Sequence, residues 1–416
     1  MSREMVNSGI PWIGDIPKGW SIAQLKRFCK VNSGREIEIE VERSSVDAIP
    51  VFGSGGVFKY TNKPQHEGEA VMFGRKGTLG KPMYVNGAFW AVDTMYFLTF
   101  TNTLRAKYCF YLLSAFNWDP YITQTALPSV VATDIVNAVF VFPSLSEQQE
   151  IASFLDRKCS EIDEMIALQE KIVDELKAYK QSVITEAVTK GLNPDVPMKD
   201  SGIEWIGEIP ERWSLYRIKY NTFLKGRIGW QGLNSNDFID EGYCLITGTD
   251  FDNKGGINWD TCYRISKERF DEDKLLHIKN GDLLMTKDGT VGKMAYIQNL
   301  PEEASLNSHL LIIRQTTNII SNEFLYWVML SNVFKRFCSI YQSGSIMSSI
   351  SQSTLGMMSC YCPSIEEQNS IVTYLKTKCT EIDSLINIKL SKIDSLKEYK
   401  KSIIYEYVTG KKEITE

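Results

Sequence analysis

Residues 8–17 read Ser8-Gly9-Ile10-Pro11-Trp12-Ile13-Gly14-Asp15-Ile16-Pro17, and residues 201–210 read Ser201-Gly202-Ile203-Glu204-Trp205-Ile206-Gly207-Glu208-Ile209-Pro210. We call this stretch the Trp-Ile-Gly motif; its second copy begins at 201 instead of 8, a shift of 193 positions. Tryptophan, glycine and proline that return at the same spacing indicate an internal duplication. The sequence therefore predicts one scaffold built twice.

Later signatures repeat in the same order but with larger shifts. The shift is 212 for Gly77-Thr78-Leu79-Gly80-Lys81 against Gly289-Thr290-Val291-Gly292-Lys293, and 220 for Pro143-Ser144-Leu145-Ser146-Glu147-Gln148 against Pro363-Ser364-Ile365-Glu366-Glu367-Gln368. It is also 220 for Glu161-Ile162-Asp163 against Glu381-Ile382-Asp383 and for Lys177-Ala178-Tyr179-Lys180 against Lys397-Glu398-Tyr399-Lys400. The extra residues of the second half therefore lie in its middle segment. The ends of the two halves repeat closely, whereas the middle segments differ in length and sequence.

Composition places the chain among globular proteins of two to three domains. It has 416 residues, a net charge of −5 and nine cysteines, too few for a disulfide framework in so long a chain. No apolar run reaches the ~18 residues of a membrane span, and the start lacks a signal peptide, so we expect a cytoplasmic protein without a membrane partner. The negative charge argues against indiscriminate coating of nucleic acid, which needs many cationic contacts to phosphate.

Each half ends in a predicted long helix. Ser144 with Glu147, and Ser364 with Glu367, fit the capping box directly after a proline, and apolar residues then recur at steps of three, four and seven. The two helices either pack into separate cores or pair with each other as an antiparallel coiled coil. We favour pairing because the two apolar stripes have the same length and phase. The segment 191–197, rich in glycine and proline, breaks the first helix at the midpoint of the chain.

The middle segments, 29–142 and 222–362, predict mixed domains. They carry short β-like runs such as Ala70-Val71-Met72-Phe73 and Leu310-Leu311-Ile312-Ile313, separated by glycine-rich turns. The predicted domains are a Trp-Ile-Gly motif with a first variable domain over 1–142, a helix over 143–191, a linker, second motif and second variable domain over 192–362, and a helix over 363–416. The predicted class is α+β with an internal pseudo-twofold repeat.

Two repeated features of the middle segments are candidates for binding. The stretch Gly74–Lys81 resembles a phosphate-binding P-loop, but five residues separate Gly74 from Gly80 and Pro82 stands where Ser or Thr is required. A tight, basic turn that meets DNA phosphates or bases is the better interpretation. The polar loops 123–129 and 342–349 are either plain surface loops or donors to phosphates and base edges.

No catalytic constellation is visible in the sequence. Asp119-Pro120-Tyr121 lacks a proline of the amino-methyltransferase motif and has no counterpart in the second half. Cys360 and Cys362 form the only close cysteine pair, and none of the three histidines lies near them, which argues against a zinc site. Cys159 and Cys379 are repeat equivalents that we interpret as small apolar helix residues.

The duplicated motifs, in this order, resemble those of the DNA-specificity subunits of type I restriction–modification enzymes, over essentially the whole chain. The resemblance implies two mixed α/β target-recognition domains separated by two long antiparallel helices, each domain reading one half of a bipartite site in double-stranded DNA. It also implies a non-catalytic chain. Two modification (methyltransferase) subunits would supply adenine methylation with S-adenosylmethionine, and restriction/translocase subunits would supply ATP- and Mg-dependent translocation and cleavage.

The two variable segments differ away from their shared turns, so we expect an asymmetric site. Residues identical in both copies, such as Lys81 and Lys293, cannot discriminate between half-sites and suit turn geometry or phosphate contact. The predicted DNA-binding residues are Arg75, Lys76, Thr78, Lys81, Lys59, Tyr60 and Gln124 in the first half, and Arg264, Lys287, Asp288, Thr290, Lys293, Gln342 and Ser345 in the second.

Three other functions remain open on the residues alone. A stand-alone DNA-binding regulator would use the same predicted DNA-binding residues, but it would leave the long charged helices without partners. A scaffold whose variable domains bind protein fits the negative charge, and DNA binding that falls steeply with salt would count against it. A self-contained methyltransferase or nuclease is disfavoured because neither a cofactor loop nor a metal-binding carboxylate set is visible.

Overall fold

The chain folds into two compact units. The computed structural model describes residues 3–227, 233, 235–252, 255–341 and 349–414. Unit 1 comprises Met1–Lys171 and Leu390–Glu416, and unit 2 comprises Ile172–Lys389. The division crosses both long helices, so that each unit contains one part of each helix.

Unit 1 is built on a six-stranded sheet. Its strands are β1 (Met5–Asn7), β2 (Asp15–Pro17), β3 (Ser21–Gln24), β4 (Cys29–Ser33), β5 (Ile49–Gly53), β6 (Gly56–Thr61), β7 (His66–Gly74), β8 (Met83–Ala91), β9 (Met95–Phe100) and β10 (Val139–Phe142). Its helices are α1 (Ala106–Ala115), α2 (Ala132–Asn137) and the first part of α3 (Leu145–Lys190). The large sheet has the order β4-β9-β7-β8-β5-β6, and the pairs β1-β2 and β3-β10 form small ribbons.

Unit 2 distributes its strands over smaller sheets. They are β11 (Met198–Asp200), β12 (Glu208–Pro210), β13 (Ser214–Arg217), β14 (Thr222–Lys225), β15 (Tyr243–Ile246), β16 (Tyr263–Ile265), β17 (Leu283–Thr286), β18 (Met294–Tyr296), β19 (Ala304–Leu306), β20 (Leu310–Gln315) and β21 (Ser359–Cys362). The helices are α4 (Ile218–Asn221), α5 (Lys267–Asp271), α6 (Asn322–Leu330), α7 (Asn332–Tyr341), α8 (Gln352–Gly356) and α9 (Ile365–Val408). The sheets have the orders β14-β20-β17-β18, β16-β15-β19, β11-β12 and β13-β21.

The two variable domains share a core sheet despite their different sequences. The order β4-β9-β7-β8 in unit 1 corresponds to β14-β20-β17-β18 in unit 2, with antiparallel neighbours throughout. The β-like runs predicted at 70–73 and 310–313 lie in β7 and β20, and their side chains are buried. Such continuous apolar runs suit strands that are covered on both faces.

The glutamine that ends the Pro-Ser-x-x-Glu-Gln signature joins each long helix to its variable domain. Gln368 is fully buried; its amide donates to the carbonyls of Ile319 (2.8 Å) and Pro363 (3.0 Å) and accepts from the Ser321 N–H (2.9 Å). Gln148 donates in the same way to the Pro143 carbonyl (3.0 Å) and accepts from the Arg105 N–H (2.9 Å). Because Ile319 and Ser321 precede α6 and Arg105 precedes α1, the glutamines join the start of each long helix to the start of a helix in the variable domain.

The other residues of that signature cap the helix and bind the preceding ribbon. The Ser144 hydroxyl accepts from the Glu147 N–H and the Ser364 hydroxyl accepts from the Glu367 N–H, both at 3.3 Å, as the capping box predicts. The carboxylates of Glu147 and Glu367 in turn accept the indole N–H groups of Trp20 and Trp213, each at 3.2 Å. The caps and the tryptophans are thus one repeated assembly.

The Glu-Ile-Asp signature of each long helix forms an ion pair with the Lys-x-Tyr-Lys signature of the other. In unit 1, Lys400 binds both carboxylate oxygens of Asp163 at 2.7 and 2.6 Å, and the rings of Phe154 and Tyr407 lie 4.4 Å apart. In unit 2, Lys180 binds Asp383 with the same two distances. Residue numbers rise on one helix as they fall on the other, so the predicted antiparallel pairing is confirmed within unit 1. Cys159 and Cys379 are buried beside these pairs, as predicted.

Candidate nucleic-acid interface

The Gly-Thr-x-Gly-Lys stretch forms the turn from β7 to β8 in unit 1 and from β17 to β18 in unit 2. Its glycines have positive φ in both copies, +81° and +69° at Gly77 and Gly80, and +72° and +88° at Gly289 and Gly292. Left-handed backbone at these positions favours glycine over any residue with a Cβ. The sequence prediction of a tight turn is confirmed, and the conserved spacing reflects backbone geometry.

Each turn is joined to the polar loop that the sequence singled out separately. In unit 1 the backbones of Lys76 and Ser129 form an antiparallel β-bridge, and the Val130 N–H donates to the Arg75 carbonyl at 3.0 Å. In unit 2 the backbones of Asp288 and Ser349 form an antiparallel β-bridge, and the Ile350 N–H donates to the Lys287 carbonyl at 2.9 Å. In unit 1 the turn and the loop form one surface, and in unit 2 the turn is joined to Ser349, the residue of the loop that the structure describes. We call each of these the turn–loop surface.

In unit 1 the turn–loop surface presents cations and amides. Arg75 is exposed, with its guanidinium carbon 6.0 Å from the centre of the Tyr96 ring, a distance at which the cation is attracted to the ring face. Lys81 and Gln124 are also exposed, whereas Lys76 and Thr78 are partly buried. This donor-rich surface can meet phosphate oxygens or the acceptor edges of bases.

In unit 2 the same backbone presents a mixed set of charges. The Asp288 carboxylate oxygen Oδ2 lies 3.0 Å from the Lys287 Nζ and 3.3 Å from the His309 Nδ1. Lys293 and Thr290 are exposed. The Thr286 hydroxyl accepts from the Lys293 N–H at 3.0 Å and donates to the Thr290 carbonyl, which closes the turn. The corresponding residue of unit 1 is Gly74, where a Cβ would lie 2.4 Å from the Thr78 carbonyl oxygen.

The other predicted DNA-binding residues have different neighbours. Lys59 lies on β6 in an ion pair with Glu40 at 2.6 Å, and Tyr60 pairs through its backbone with Val41. Arg264 lies on β16, where the hydrogen bond from its guanidinium to Glu302 raises the Arg264 pKa above its ordinary value. Gln342 and Ser345 lie outside the described residues. A role in DNA binding for these residues stays a prediction.

Several contributors to the two surfaces were absent from the sequence prediction. The Arg75 N–H donates to the Thr94 carbonyl at 2.8 Å, and the Lys287 N–H donates to the His309 carbonyl at 2.9 Å, so Thr94 and His309 are structural equivalents. The Trp118 and Phe334 rings lie 3.3 Å from the Cβ positions of Gly80 and Gly292. Trp118 follows α1 and Phe334 lies in α7; they are 216 positions apart, between the shifts of 212 and 220 of the neighbouring motifs.

Comparison with known proteins identifies what these repeated surfaces belong to. The sequence model of the family described as the type I restriction modification DNA specificity domain matches residues 17–179 and residues 229–395, one match in each half. The chain belongs to this family. The two matches each include a Gly-Thr-x-Gly-Lys turn and most of one long helix.

Relatives of the family match nearly the whole chain. The type I restriction enzyme MjaVIII specificity subunit of Methanocaldococcus jannaschii is 24% identical and covers 95% of this chain and 93% of its own length. The EcoBI specificity subunit of Escherichia coli is 22% identical and covers 95% and 87%. A chain from a structure on complex assembly and conformational transition of the type I R-M system has a TM-score of 0.73 at 15% identity, covering 94% and 98%. The HsdS subunit of Thermoanaerobacter tengcongensis has a TM-score of 0.50 at 15% identity, covering 95% and 98%.

These findings confirm the main predictions from sequence. The chain is a DNA-recognition subunit of a type I restriction–modification system, with the α+β class and the internal repeat that its motifs indicated. The family is one of DNA specificity, so the prediction of a non-catalytic chain is confirmed by membership. DNA and the other components of a restriction–modification complex are therefore its partners. In the part of the chain that the structure describes, no helix could cross a membrane and no cluster of three or more candidate ligands could hold a metal ion.

Proposed function

We propose that unit 1 and unit 2 each read one half of a bipartite DNA site through their turn–loop surfaces, and that the two half-sites differ. The observation that carries this proposal is a common backbone with different side chains. Arg75, Lys76 and Thr94 in unit 1 stand where Lys287, Asp288 and His309 stand in unit 2. The two readers should prefer different bases where Lys76 and Asp288 meet DNA, because a donor in unit 1 is replaced there by an acceptor in unit 2.

Shared residues of the surfaces would position the DNA. Lys81 and Lys293 occupy the same place after the second glycine of the turn and are exposed in both units. A lysine common to both readers adds affinity through phosphate without adding sequence information. Base readout would then fall to the residues that differ, with Arg75 the first candidate in unit 1 and Gln124 on the adjoining loop.

Replacing Arg75 with alanine should weaken or relax recognition of one half-site and leave the other half-site unchanged. An arginine that binds guanine is worth about 1–3 kcal/mol of discrimination against the wrong base. The measurement is the methylation motif of the complete complex carrying Arg75→Ala, read base by base. Arg157→Ala is a matched control, because Arg157 is exposed on α3 outside the variable segments. An unchanged motif and unchanged affinity would remove Arg75 from the readers.

We further propose that the long helices carry two equivalent docking surfaces for two copies of a modification subunit. Apolar side chains are exposed in pairs related by the repeat: Leu168 (55%) and Ile388 (62%), Met165 and Leu385, Tyr179 and Tyr399. Leu168 belongs to unit 1 and Ile388 to unit 2. Apolar side chains exposed at matched positions are expected at an interface that is used twice.

Replacing Leu168 with aspartate should reduce the number of bound modification subunits from two to one. A carboxylate at this position would be buried without a partner when the subunit docks. Native mass spectrometry of the co-purified complex measures the stoichiometry directly. Ile388→Asp should remove the other copy, and Ser160→Asp on the same helix is the control for the added charge. Two copies bound to the Leu168→Asp, Ile388→Asp double variant would refute these surfaces.

The remaining chemistry would belong to the partners. We assign S-adenosylmethionine to the modification subunits, and ATP and Mg to restriction/translocase subunits, in a complex that works in the cytoplasm. This assignment is supported by membership in a specificity family. Purification of the assembled complex, followed by measurement of which chain binds radiolabelled S-adenosylmethionine, tests it.

A further inference from the structure

Positions 76 and 288 are equivalent by hydrogen bonding as well as by sequence. The backbone of Lys76 forms a β-bridge with Ser129, and the backbone of Asp288 forms one with Ser349. In both copies the carbonyl of the residue before position 76 or 288 accepts a hydrogen bond from the N–H of the residue after the serine. The glycines that follow have similar positive φ, +81° at Gly77 and +72° at Gly289. The backbone therefore presents the two side chains from the same place, and the difference between lysine and aspartate is a difference in chemistry.

Asp288 is held in position by two neighbours that differ from those of unit 1. Both described contacts, from Lys287 at 3.0 Å and from His309 at 3.3 Å, use the same carboxylate oxygen, Oδ2. Its side chain keeps 22% of its surface exposed. Lys287 offsets the repulsion that a carboxylate would meet near phosphate, and it restricts the rotamers of the carboxylate. The Asp288 carboxylate is thus a hydrogen-bond acceptor whose orientation is held by the Lys287 ammonium.

The chemistry of an ionised carboxylate limits what it can recognise. It accepts hydrogen bonds and donates none. In the major groove only cytosine N4 and adenine N6 offer amino donors, whereas guanine O6 and N7 and thymine O4 are acceptors. Lysine and arginine have the opposite preference and favour guanine.

We propose that Asp288 makes unit 2 select a base that offers an amino group in the major groove, cytosine or adenine, at one position of its half-site, where Lys76 in unit 1 favours guanine. The proposal rests on the proposed function, in which the turn–loop surface of unit 2 faces DNA. It assigns one specificity-determining residue and the class of base that this residue accepts.

The first test is the methylation motif of the complete complex carrying Asp288→Ala. One position in one half-site should lose its preference for cytosine or adenine by about 5- to 150-fold, and the other half-site should stay as in the parent complex. Asp288→Lys should move that position towards guanine. Asp271→Ala, which removes an exposed carboxylate on α5 of the same unit, should leave the motif unchanged. An unchanged motif with Asp288→Ala would overturn the proposal, although a bipartite parent motif would still support the proposed function.

The second test keeps the protein intact and changes the DNA. In the half-site that Arg75→Ala leaves unaffected, each adenine is replaced by purine and each cytosine by 2-pyrimidinone, which lack the amino group, and binding of the complex is measured by fluorescence anisotropy. One substitution should weaken binding by about 5- to 150-fold. This loss should be absent with Asp288→Asn or Asp288→Ala, whichever assembles. If all substituted duplexes bind like the natural one, or if the loss persists without the carboxylate, Asp288 does not read an amino group.

Discussion

Replacing Gln368 with leucine is expected to lower the free energy of unfolding of the chain by about 3 kcal/mol, because three buried backbone groups lose their partner. Gln368 is fully buried and binds the carbonyls of Ile319 and Pro363 and the N–H of Ser321. Leucine fills a similar volume but can neither donate nor accept. Urea unfolding of the full chain measures the loss, and hydrogen exchange should locate it at the start of α6.

Two further variants calibrate that result. Gln148→Leu in unit 1 should cost less, about 2 kcal/mol, because Gln148 makes two such hydrogen bonds instead of three. Gln149→Leu changes an exposed neighbour on the same helix and should alter stability by no more than about 0.5 kcal/mol. If Gln368→Leu costs as little as Gln149→Leu, the glutamine does not hold the domain to its helix.

Replacing Gly80 with alanine is expected to destabilise the chain by about 2–3 kcal/mol and to displace the turn that we propose meets DNA in unit 1. The backbone at Gly80 has φ +69°, which alone costs a non-glycine residue about 1 kcal/mol. A Cβ there would also lie 3.3 Å from the Trp118 ring. Because Trp118 is buried, the indole cannot move away without disturbing the core around it.

Gly9 provides a matched control in the same unit. Its φ is +70°, and no atom lies within 4 Å of its Cβ position, so Gly9→Ala carries the backbone strain without the steric contact. Gly9→Ala should therefore cost about 1 kcal/mol and leave DNA recognition intact. Urea unfolding and the methylation motif together separate the two effects. Equal losses of stability for the two variants would mean that the contact with Trp118 is unimportant.

The ends of each half could be predicted from the sequence because local rules determine them. Serine and glutamate directly after a proline mark where the helices begin, and the apolar period marks their buried faces. The reciprocal pairing of the two signatures, Asp163 with Lys400 and Lys180 with Asp383, was not predicted. It depends on the register of the helices within each unit, which the periodicity leaves open.

The middle segments show where sequence reasoning reaches its limit. The shared order β4-β9-β7-β8 and β14-β20-β17-β18 is maintained by backbone hydrogen bonds, which different side chains can satisfy equally well. The glycine turns and polar loops were both singled out, but their adjacency joins Lys76 to Ser129 across a long stretch of chain. The prediction of Lys59, Tyr60 and Arg264 as DNA-binding residues rests on their place in the divergent parts of the variable segments. Lys59 and Arg264 have carboxylate partners in the structure, a pairing that their residue types do not encode.

We propose that this chain directs its complex to one asymmetric bipartite DNA site, with one unit for each half. A single-molecule methylome, recorded with and without the gene in a host whose modification subunits are active with another specificity subunit, tests it most directly. We expect one adenine-methylation motif to appear with the gene, with two different halves separated by an unread spacer. A continuous or symmetric motif, or no new motif while the modification subunits remain active, would contradict it.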